Sequence, residues 1–472
     1  MKKAFSLLIV FVLLINIFIF FPQKLSAVTN DDITLCPYDL YQGDADNNGE
    51  INISDAQEIQ LYVAQMPTDK PEDIPDRWYT GILDTDRNGC VSISDTTKLQ
   101  RFLAGLDNSV DYTQKPLYTW QQRILHQTGG LSFDKTAYFN TLPDAVSSYL
   151  SEPGAVVTDY CRGSDLDKPL SYTFTAPENA RKVYIIDSMT HSGWVDTLTN
   201  DKYSIKNLIP GREYRFYFCD NDGKLLEYGQ CAANDSLRMI DAESNTFNIR
   251  DIGGWKCDNG TLKYGMIIRG CELNGDTYNV VLNDEQKRLF TEKLGVCDEI
   301  DLRSNSETDG ADNIIGTEDD ITNSALGDST DYIRYTVAPY SVGLNLNNDS
   351  QRNSYRDMIK RITYDVSNGK PCYIHCLVGA DRTGTICALI ELICGVSLED
   401  VERDYELTSF ARNNTRTKTG REWQIMLNTL NDLEGDSLRD KAISFALKTG
   451  VTKNEINTLR KALINGNPSV IR

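Results

Sequence analysis

The sequence predicts a multidomain chain made of a small α-helical module, a β-sandwich-like middle domain and a C-terminal α/β domain in which helices flank a central sheet. Three observations predict this order. Two similar acidic segments lie near the start, short alternating runs begin near residue 168, and helix and strand patterns alternate after residue 242. A chain of 472 residues is also too long for one hydrophobic core.

Residues 1–27 have the pattern of a secretory signal peptide. Lys2 and Lys3 precede an apolar run, and the small residues Ser26 and Ala27 offer a cleavage site. The alternative is an uncleaved anchor helix, since the apolar run reaches Phe21. We expect a secreted, extracellular or scaffold-bound protein without stable membrane insertion after cleavage.

The net charge indicates which partners to exclude, and the cysteine pattern indicates the redox environment. The formal net charge of −20 argues against nucleic acid as a partner, because binding to phosphate backbones needs an excess of Lys and Arg. The twelve cysteines are scattered and include no CxxC pair. We therefore expect free thiols rather than a disulfide framework, and hence a secreted protein that works where oxidant is scarce.

The two acidic segments form a repeat with a spacing of 40 residues, and each has the shape D-x-D-x-N-G followed by a helical pattern. A calcium loop needs oxygen ligands at positions 1, 3, 5, 7, 9 and 12 and a glycine at position 6. Gly49 and Gly89 occupy position 6. The predicted ligands are Asp44, Asp46, Asn48, the Glu50 carbonyl, Asn52 and Asp55, and then Asp84, Asp86, Asn88, the Cys90 carbonyl, Ser92 and Asp95.

Residues 36–106, which contain this repeat, resemble a type I dockerin, the module that binds a cohesin on a scaffold protein. The resemblance implies two structural calcium ions and loops that have only an exit helix. It also implies cohesin contacts at positions 10 and 11 of each loop, which are Ile53, Ser54, Ile93 and Ser94.

The middle of the chain has weaker signals. Residues 107–167 carry no motif, and we expect a linker or an irregular segment. Short alternating strands with turns between them follow, and residues 168–242 resemble a fibronectin type III sandwich. The isolated histidines His126 and His191 are expected to be structural or exposed rather than ligands.

Residues 243–472 alternate between helix and strand signals. Asn283 and Gln286 fit a helix start, and Gly295 fits its end. A second predicted helix ends at Asn368-Gly369 and places Tyr355, Met358, Ile359, Ile362 and Val366 on one face. A strand, "PCYIHC", and an apolar helix ending at Gly395 follow, with three further helical segments behind them.

The stretch "HCLVGADRTG" joins that strand to the apolar helix. A tight loop before a helix directs backbone N–H groups inward and binds an anion, and it also lowers the pKa of a thiol. The guanidinium of Arg382 can hold two phosphate oxygens, and Gly379 permits close approach of the backbone. The expected phosphate contacts are Leu377, Val378, Gly379, Ala380, Asp381 and Arg382.

This HCxxGxDRTG loop resembles that of bacterial protein-tyrosine phosphatases related to lipid and inositol phosphatases. "NIRDIGG" (248–254) and "DLRSNSE" (301–307) match two companion motifs of that group. The resemblance implies a Cys376 nucleophile, transition-state stabilisation by Arg382, a bond from Thr383 to the departing thiolate and loop support by His375. No metal is needed for this chemistry.

The proton donor is less well marked, because Pro339 is followed by Tyr340 where relatives supply an aspartate. Asp381 is the first candidate and Asp301 the second, although Asp301 and Arg303 equally fit a structural ion pair. Arg269 and Arg303 are expected to shape the pocket or to pair with carboxylates.

The sequence thus favours a secreted phosphomonoester phosphatase tethered through a dockerin, with aryl or peptide phosphomonoesters as substrates because residues 377–381 include no lysine. Two alternatives stay open. One is a phosphate-binding scaffold component without turnover. The other is a carbohydrate-active enzyme, although no local pair of carboxylates marks one.

Overall fold

The computed structural model describes residues 33–471 except 110–111, 113–114, 134–135, 164–165, 276, 309–319 and 413–414. The expected signal peptide lies outside the described residues. The chain divides into two compact units. The first contains the chain through residue 134 with 177–183 and 217–229, and the second contains 135–176, 184–216 and the chain from residue 230.

The described residues of the first unit form four helices, α1 (Ile53–Val63), α2 (Asp76–Leu83), α3 (Ile93–Leu103) and α4 (Trp120–Gln127). Helices α1 and α3 follow the acidic loops, as the repeat predicts. Asn52 and Ser92 cap them by accepting the N–H of the residue two positions on, and Asp55 and Asp95 accept the N–H of the cap residue in return. These reciprocal bonds explain why each loop turns directly into a helix.

Helix α2 corrects the expectation that each loop has only an exit helix, because it ends at Leu83, directly before Asp84, the first residue of the second loop. Its cap residue Pro75 makes no side-chain bond. The helix is held instead by packing, since Trp78 and Ile82 belong to the core of this unit. A helix of only eight residues without a capping side chain is hard to recognise from the sequence alone.

The segment 107–167 is also not irregular throughout. It contributes α4, the strand β1 (Thr136–Phe139), the helix α5 (Asp144–Ser151) and a 3₁₀ turn at Val157–Asp159. Tyr112 packs into the core of the helical module, beyond the expected boundary at residue 106. Each element is short, and β1 is fixed by a strand far along the chain, so local periodicity could not reveal it.

Six strands follow, β2 (Tyr172–Thr175), β3 (Lys182–Asp187), β4 (Gly193–Thr197), β5 (Lys202–Ile205), β6 (Glu213–Cys219) and β7 (Leu225–Ala233). One sheet has the order β1-β7-β6-β3-β4, with β1 parallel to β7, and a second sheet pairs β2 with β5. All of these strands except β4 coincide with runs of alternating apolar and polar residues in the sequence. A sandwich of the fibronectin type stays a prediction.

The C-terminal strands are β8 (Arg250–Asp251), β9 (Lys256–Cys257), β10 (Gly260–Leu262), β11 (Ile267–Gly270), β12 (Asp298–Asp301), β13 (Asp331–Arg334), β14 (Cys372–His375) and β15 (Ile464–Gly466). The central sheet has the order β13-β12-β14-β11-β8. Its first four strands are parallel, and β8 runs antiparallel to β11. This is the α/β architecture that the sequence predicts.

The C-terminal helices are α6 (Asp284–Arg288), α7 (Tyr340–Gly343), α8 (Asp349–Ser367), α9 (Arg382–Cys394), α10 (Leu398–Leu407), α11 (Arg421–Asn431), α12 (Leu438–Thr449) and α13 (Lys453–Leu463). A π-helical turn at Leu289–Lys293 continues α6. Four helices follow α9, not the three expected. The segment behind α9 divides at Gly435 and Gly450, both at positive φ.

Helices α8 and α9 enclose the core beside β14. All five apolar residues predicted on the inner face of α8 are buried, and every residue of α9 after Arg382 is buried. Gly395 ends α9 in the left-handed conformation. Helix α9 is therefore locked between the sheet and its neighbours, which fixes the position of its amino end.

Within the part of the chain that is described, no helix has the length and apolarity needed to cross a membrane.

Candidate active site

Strand β14 brings Cys376 to the carboxyl edge of the central sheet. The strand ends at His375 and α9 begins at Arg382, and residues 376–382 are called the anion loop below. Cys376 is 3 % exposed. In open α/β sheets ligands bind at this edge, beside the carboxyl ends of the strands.

The backbone of the anion loop presents unpaired donors. Among the described residues, the N–H groups of residues 377–381 have no hydrogen-bond acceptor. They lie at the amino end of α9, where the helix dipole favours negative charge. Successive free N–H groups at such a place form a nest for a phosphate group.

The carbonyls of the same loop are all bonded, and this sets the direction of the N–H groups. The Leu377 carbonyl accepts the N–H of Glu272 at 3.3 Å, and the Ala380 and Asp381 carbonyls accept N–H groups of α9 at 3.0 and 2.9 Å. In a planar trans peptide the C=O and the next N–H point in opposite directions. Each carbonyl that is held on the protein side therefore turns the following N–H towards the loop centre.

Two side chains from other strands hold the remaining carbonyls. Asn248 Nδ2 donates to the Val378 carbonyl at 3.0 Å, and Arg269 Nη2 donates to the Gly379 carbonyl at 2.8 Å. Asn248 has φ +56°, a conformation that asparagine tolerates better than most residues. These contacts give Asn248, the first residue of "NIRDIGG", a role in holding the loop. They also agree with the pocket-shaping role expected for Arg269.

A buried carboxylate joins the two arginines behind the loop. Asp404 accepts hydrogen bonds from Arg250 Nε at 2.8 Å and Arg269 Nη1 at 2.5 Å. Burial would raise the pKa of Asp404, but the two guanidinium groups lower it below its ordinary value. Arg250 also donates to Asn248 Oδ1 at 2.5 Å. The cluster of Asn248, Arg250, Arg269 and Asp404 thus fixes one side of the anion loop.

Gly379 is required by its surroundings. Its φ is +71°, and a Cβ at this position would lie 2.2 Å from the Gly270 carbonyl oxygen. No side chain fits there without moving the backbone of β11 or of the loop.

Arg382 is held in place by the last residue of "DLRSNSE". Its two terminal nitrogens each lie 2.6 Å from an oxygen of Glu307, which belongs to a 3₁₀ turn at Asn305–Glu307 after β12. Burial opposes ionisation of Glu307, but the bonds from Arg382 and Ser304 lower its pKa to about 2. Such a bidentate pair orients a guanidinium strongly.

Asp301 and Arg303 form the structural ion pair that the sequence allowed. Arg303 Nη2 lies 2.7 Å from Asp301 Oδ2, and Arg303 Nη1 lies 2.9 Å from Glu272 Oε2, with all three side chains buried. Burial works against the charge on Asp301, yet His375 and Arg303 lower its pKa to about 2. Tyr332 adds a further hydrogen bond to this carboxylate at 2.8 Å.

His375, directly before Cys376, and Thr383, in the first turn of α9, are both fully buried. His375 Nε2 lies 3.0 Å from Glu299 Oε1, which anchors the ring below the loop. The Thr383 hydroxyl has no hydrogen-bond partner among the described residues. A buried hydroxyl without a partner carries a free-energy cost, so it is available to a group that enters the site.

The carboxylate of Asp381, which the sequence predicts as a proton donor, is bound by Arg416 and Tyr340. Arg416 binds both of its oxygens, at 2.7 and 2.9 Å, and Tyr340 donates a hydrogen bond to it. Burial would raise the pKa of Asp381, but Arg416 and Tyr340 outweigh burial and lower it. Tyr340 itself has φ +55°, which is unusual for a bulky residue.

Asp404, Arg416 and Glu307 are among the residues of this site that the sequence did not predict. Asp404 and Arg416 lie in segments without a motif, and only their contacts in three dimensions reveal them. Glu307 ended a quoted motif, but nothing in the sequence pairs it with Arg382.

The acidic loops of the first unit bring their carboxylates together. Oxygens of Asp44, Asp46 and Asp55 lie within 4.8 Å of one another, and so do those of Asp84, Asp86 and Asp95. Burial and the charge of Asp55 raise the pKa of Asp44 to about 6. Hard oxygen donors crowded in this way suit Ca²⁺, which would offset their repulsion.

The other predicted loop ligands have different local partners. The Asn48 side chain donates to Asp46 at 2.8 Å and its own Oδ1 accepts the N–H of Glu50 at 2.8 Å. Asn88 does the same with Asp86 at 3.0 Å and with the N–H of Cys90 at 2.9 Å. Asn52 and Ser92 are the helix caps described above. These side chains therefore bond within each loop and hold it closed; calcium binding stays a prediction.

The expected cohesin contacts lie on the surface. Ile53 and Ile93 are 64 % and 60 % exposed, and Ser54 and Ser94 are exposed beside them. Further exposed apolar residues keep the 40-residue spacing of the repeat: Val63 with Leu103, and Met66 with Leu106. The two halves of the repeat therefore present matching apolar surfaces.

The remaining histidines and cysteines agree with the sequence. His126 packs on Trp78 and contacts Arg77 at 3.0 Å, and His191 lies exposed in a turn. All twelve cysteines are among the described residues and are free thiols. Burial raises the pKa of Cys219, Cys231 and Cys387 to about 12 in each case, which keeps these thiols protonated.

The family comparison bears directly on this site. Residues 242–465 match the model of the tyrosine phosphatase family. The match covers a little under half of the chain and contains the anion loop with both companion motifs. The chain is a tyrosine-phosphatase-like phosphoric monoester hydrolase.

Two solved structures show a more distant likeness. A crystal structure of TpbA from P. aeruginosa has 11% identity and a TM-score of 0.26, and the alignment covers 44% of this chain and 96% of that chain. A structure of PTPMT1 in complex with PI(5)P has 11% identity and a TM-score of 0.23, with 39% and 96% covered. No curated protein matches this chain. Similarity at this level does not define a substrate.

Gly379→Ala tests the packing of the anion loop. We expect kcat/KM for 4-nitrophenyl phosphate to fall by about 100-fold or more, because small displacements of catalytic groups have effects of this size. Gly369→Ala is the matched control, since Gly369 has φ +69° but no atom within 4 Å of the added Cβ. Equal activity of the two variants would show that the contact with Gly270 is unimportant.

Proposed function

We propose that the chain hydrolyses phosphomonoesters through a cysteinyl-phosphate intermediate on Cys376. One observation carries the proposal: Cys376 begins a loop whose N–H groups are free, at the amino end of α9, with Arg382 oriented by Glu307. A dianion that entered this loop would meet a ring of donors with the nucleophile beneath it.

In the first step, the Cys376 thiolate attacks phosphorus, an S–P bond forms and the bond to the leaving oxygen breaks. An aryl leaving group departs as the phenolate and takes its proton from solvent. The loop N–H groups and the Arg382 guanidinium bind the equatorial oxygens, where charge is spread in the transition state. Because the loop N–H groups have no protein partner to lose and Arg382 is already oriented by Glu307, little reorganisation is needed when charge develops.

In the second step, a water oxygen attacks phosphorus, the S–P bond breaks and inorganic phosphate leaves. We assign Asp381 to this step, since its lowered pKa favours the carboxylate, and a carboxylate accepts a proton from water. The free Thr383 hydroxyl is suited to donate to the departing thiolate. Asp301 we assign to the buried ion pair rather than to proton transfer.

We propose aryl or peptide phosphomonoesters, including phosphotyrosine, as the substrate class. Residues 377–381 contain no basic side chain, and Arg416 is occupied by Asp381. A substrate with many phosphate groups would find little further positive charge in the loop itself. A single phosphate on an aromatic or peptide carrier needs only the loop and Arg382.

We further propose that the helical module is a dockerin that binds two calcium ions and a cohesin, and that the enzyme is secreted and attached to a scaffold. The clustered carboxylates, the reciprocal caps and the exposed Ile53 and Ile93 support this role. Matching surfaces on the two halves fit a partner that can bind either half.

Cys376→Ser tests the nucleophile. Serine is a far weaker nucleophile than a thiolate, so we expect hydrolysis of 4-nitrophenyl phosphate to fall to background. Cys90→Ser, at an exposed cysteine far along the chain, is the control and should keep wild-type activity. Absence of wild-type turnover, with binding of inorganic phosphate retained, would instead favour a scaffold that only binds phosphate.

Asp381→Asn tests the assignment of this residue to the second step. With 4-nitrophenyl phosphate, whose leaving group needs little protonation, we expect a rapid release of about one equivalent of product followed by slow turnover, as accumulation of the intermediate requires. Rapid-mixing absorbance measures both phases. A variant that lacks the rapid phase would place Asp381 in the first step, as a proton donor.

Asp44→Ala combined with Asp84→Ala tests the calcium loops. Loss of a carboxylate ligand from each loop should abolish the heat of calcium binding in calorimetry and calcium-dependent capture by a cohesin. Asp69→Ala with Asp76→Ala is the control, because neither residue is among the clustered carboxylates. Cohesin capture that persists in excess chelator would contradict the proposal.

A further inference from the structure

Residues 135–176, which precede the family-matched region 242–465 in the chain, reach the anion loop through Asp167. Asp167 Oδ2 accepts the backbone N–H of Asn248 at 2.6 Å, and Asn248 Nδ2 donates to the Val378 carbonyl at 3.0 Å. Both residues are almost completely buried, with 4 % and 2 % exposed. A continuous path of two hydrogen bonds therefore joins a residue outside the family match to the loop.

Several other contacts hold this segment on the second unit. Lys168 Nζ donates to Asp241 Oδ1 at 3.0 Å and to the carbonyl of Thr246, two residues before Asn248, at 2.8 Å. The Tyr149 hydroxyl donates to Glu406 Oε2 at 2.5 Å. The segment is thus built into the catalytic unit, although the sequence suggested a linker.

The backbone of Asn248 explains why Asp167 matters. Its φ of +56° is a strained conformation for a residue with a side chain, and such conformations persist only where surrounding contacts impose them. Asp167 holds the backbone N–H and Arg250 holds the side-chain oxygen at 2.5 Å, and together these bonds direct the amide nitrogen at the Val378 carbonyl. If the N–H were released, Asn248 could relax and its amide would leave the loop carbonyl.

We propose that Asp167 is a positioning residue for the phosphatase reaction, acting through Asn248 on the peptide between Val378 and Gly379. Because that peptide is planar, holding the Val378 carbonyl outward keeps the Gly379 N–H turned towards the substrate phosphate. The inference rests on the proposed function. It also makes residues before 242 part of the working enzyme.

The test compares Asp167→Ala, Asp167→Asn and wild type in the full chain. With 4-nitrophenyl phosphate, Asp167→Ala should lower kcat by about tenfold or more with KM changed by less than about threefold, as loss of a transition-state donor requires. Asp167→Asn keeps an acceptor oxygen and should stay within about threefold of wild type. Asp144→Ala, at an exposed aspartate in the same segment, is the control.

A double-mutant cycle separates positioning from general stability. Asn248→Gly tolerates the positive φ but lacks the amide, so Asp167→Ala should have no further effect on kcat in that background. If Asp167→Ala does not fold, Asp167→Ser, whose side chain is shorter, replaces it in the cycle. Additive effects of the two substitutions, or equal loss in Asp167→Asn and Asp167→Ala, would overturn the proposal.

A second readout does not depend on turnover. Orthovanadate, which takes up the trigonal-bipyramidal geometry of the transition state, should protect Cys376 from iodoacetamide, measured by mass spectrometry, and Asp167→Ala should need about tenfold more vanadate for the same protection. If wild type is protected but does not turn over, the proposed function fails while the inference stands. If wild type turns over and Asp167→Ala equals it in both readouts, the inference fails and the function stands.

Discussion

The anion loop depends on one constraint: its carbonyls must be bonded on the protein side so that its N–H groups stay free on the substrate side. Glu272, Asn248 and Arg269 hold three successive carbonyls, and α9 holds the next two. Since each peptide is planar, these five contacts orient the donors before any substrate arrives. Preorganised donors of this kind supply much of the stabilisation in phosphoryl transfer.

This constraint explains why the companion motifs lie far from Cys376 in the sequence. "NIRDIGG" supplies Asn248 and Arg250, and "DLRSNSE" supplies the Glu307 that orients Arg382. Asp404 joins the two buried arginines, and removal of one partner from such a cluster typically costs about 3–5 kcal/mol. The motifs are therefore supports of one loop rather than separate sites.

Elements with local sequence signals were predicted correctly, and elements fixed by distant contacts were not. The exit helices after the acidic loops, the inner face of α8 and the strand–loop–helix at Cys376 were predicted, because caps, periodicity and glycines are local signals. Helix α2, strand β1 and the partners Asp404, Arg416 and Glu307 were not. Their positions depend on packing and on ion pairs between segments that are distant in the chain, which local patterns do not encode.

The sequence by itself determined which reactive groups are present: a cysteine and an arginine with five residues between them, Gly379 among these, and two loops with oxygen-bearing side chains at calcium spacing. Only the tertiary structure decided which of these groups are paired with other side chains and which are open to a substrate. It paired Asp381 with Arg416, enclosed Asp301 with Arg303, and placed Asp167 behind Asn248. The reason is that a carboxylate's role depends on the cations and donors around it, and distant parts of the chain supply these only on folding.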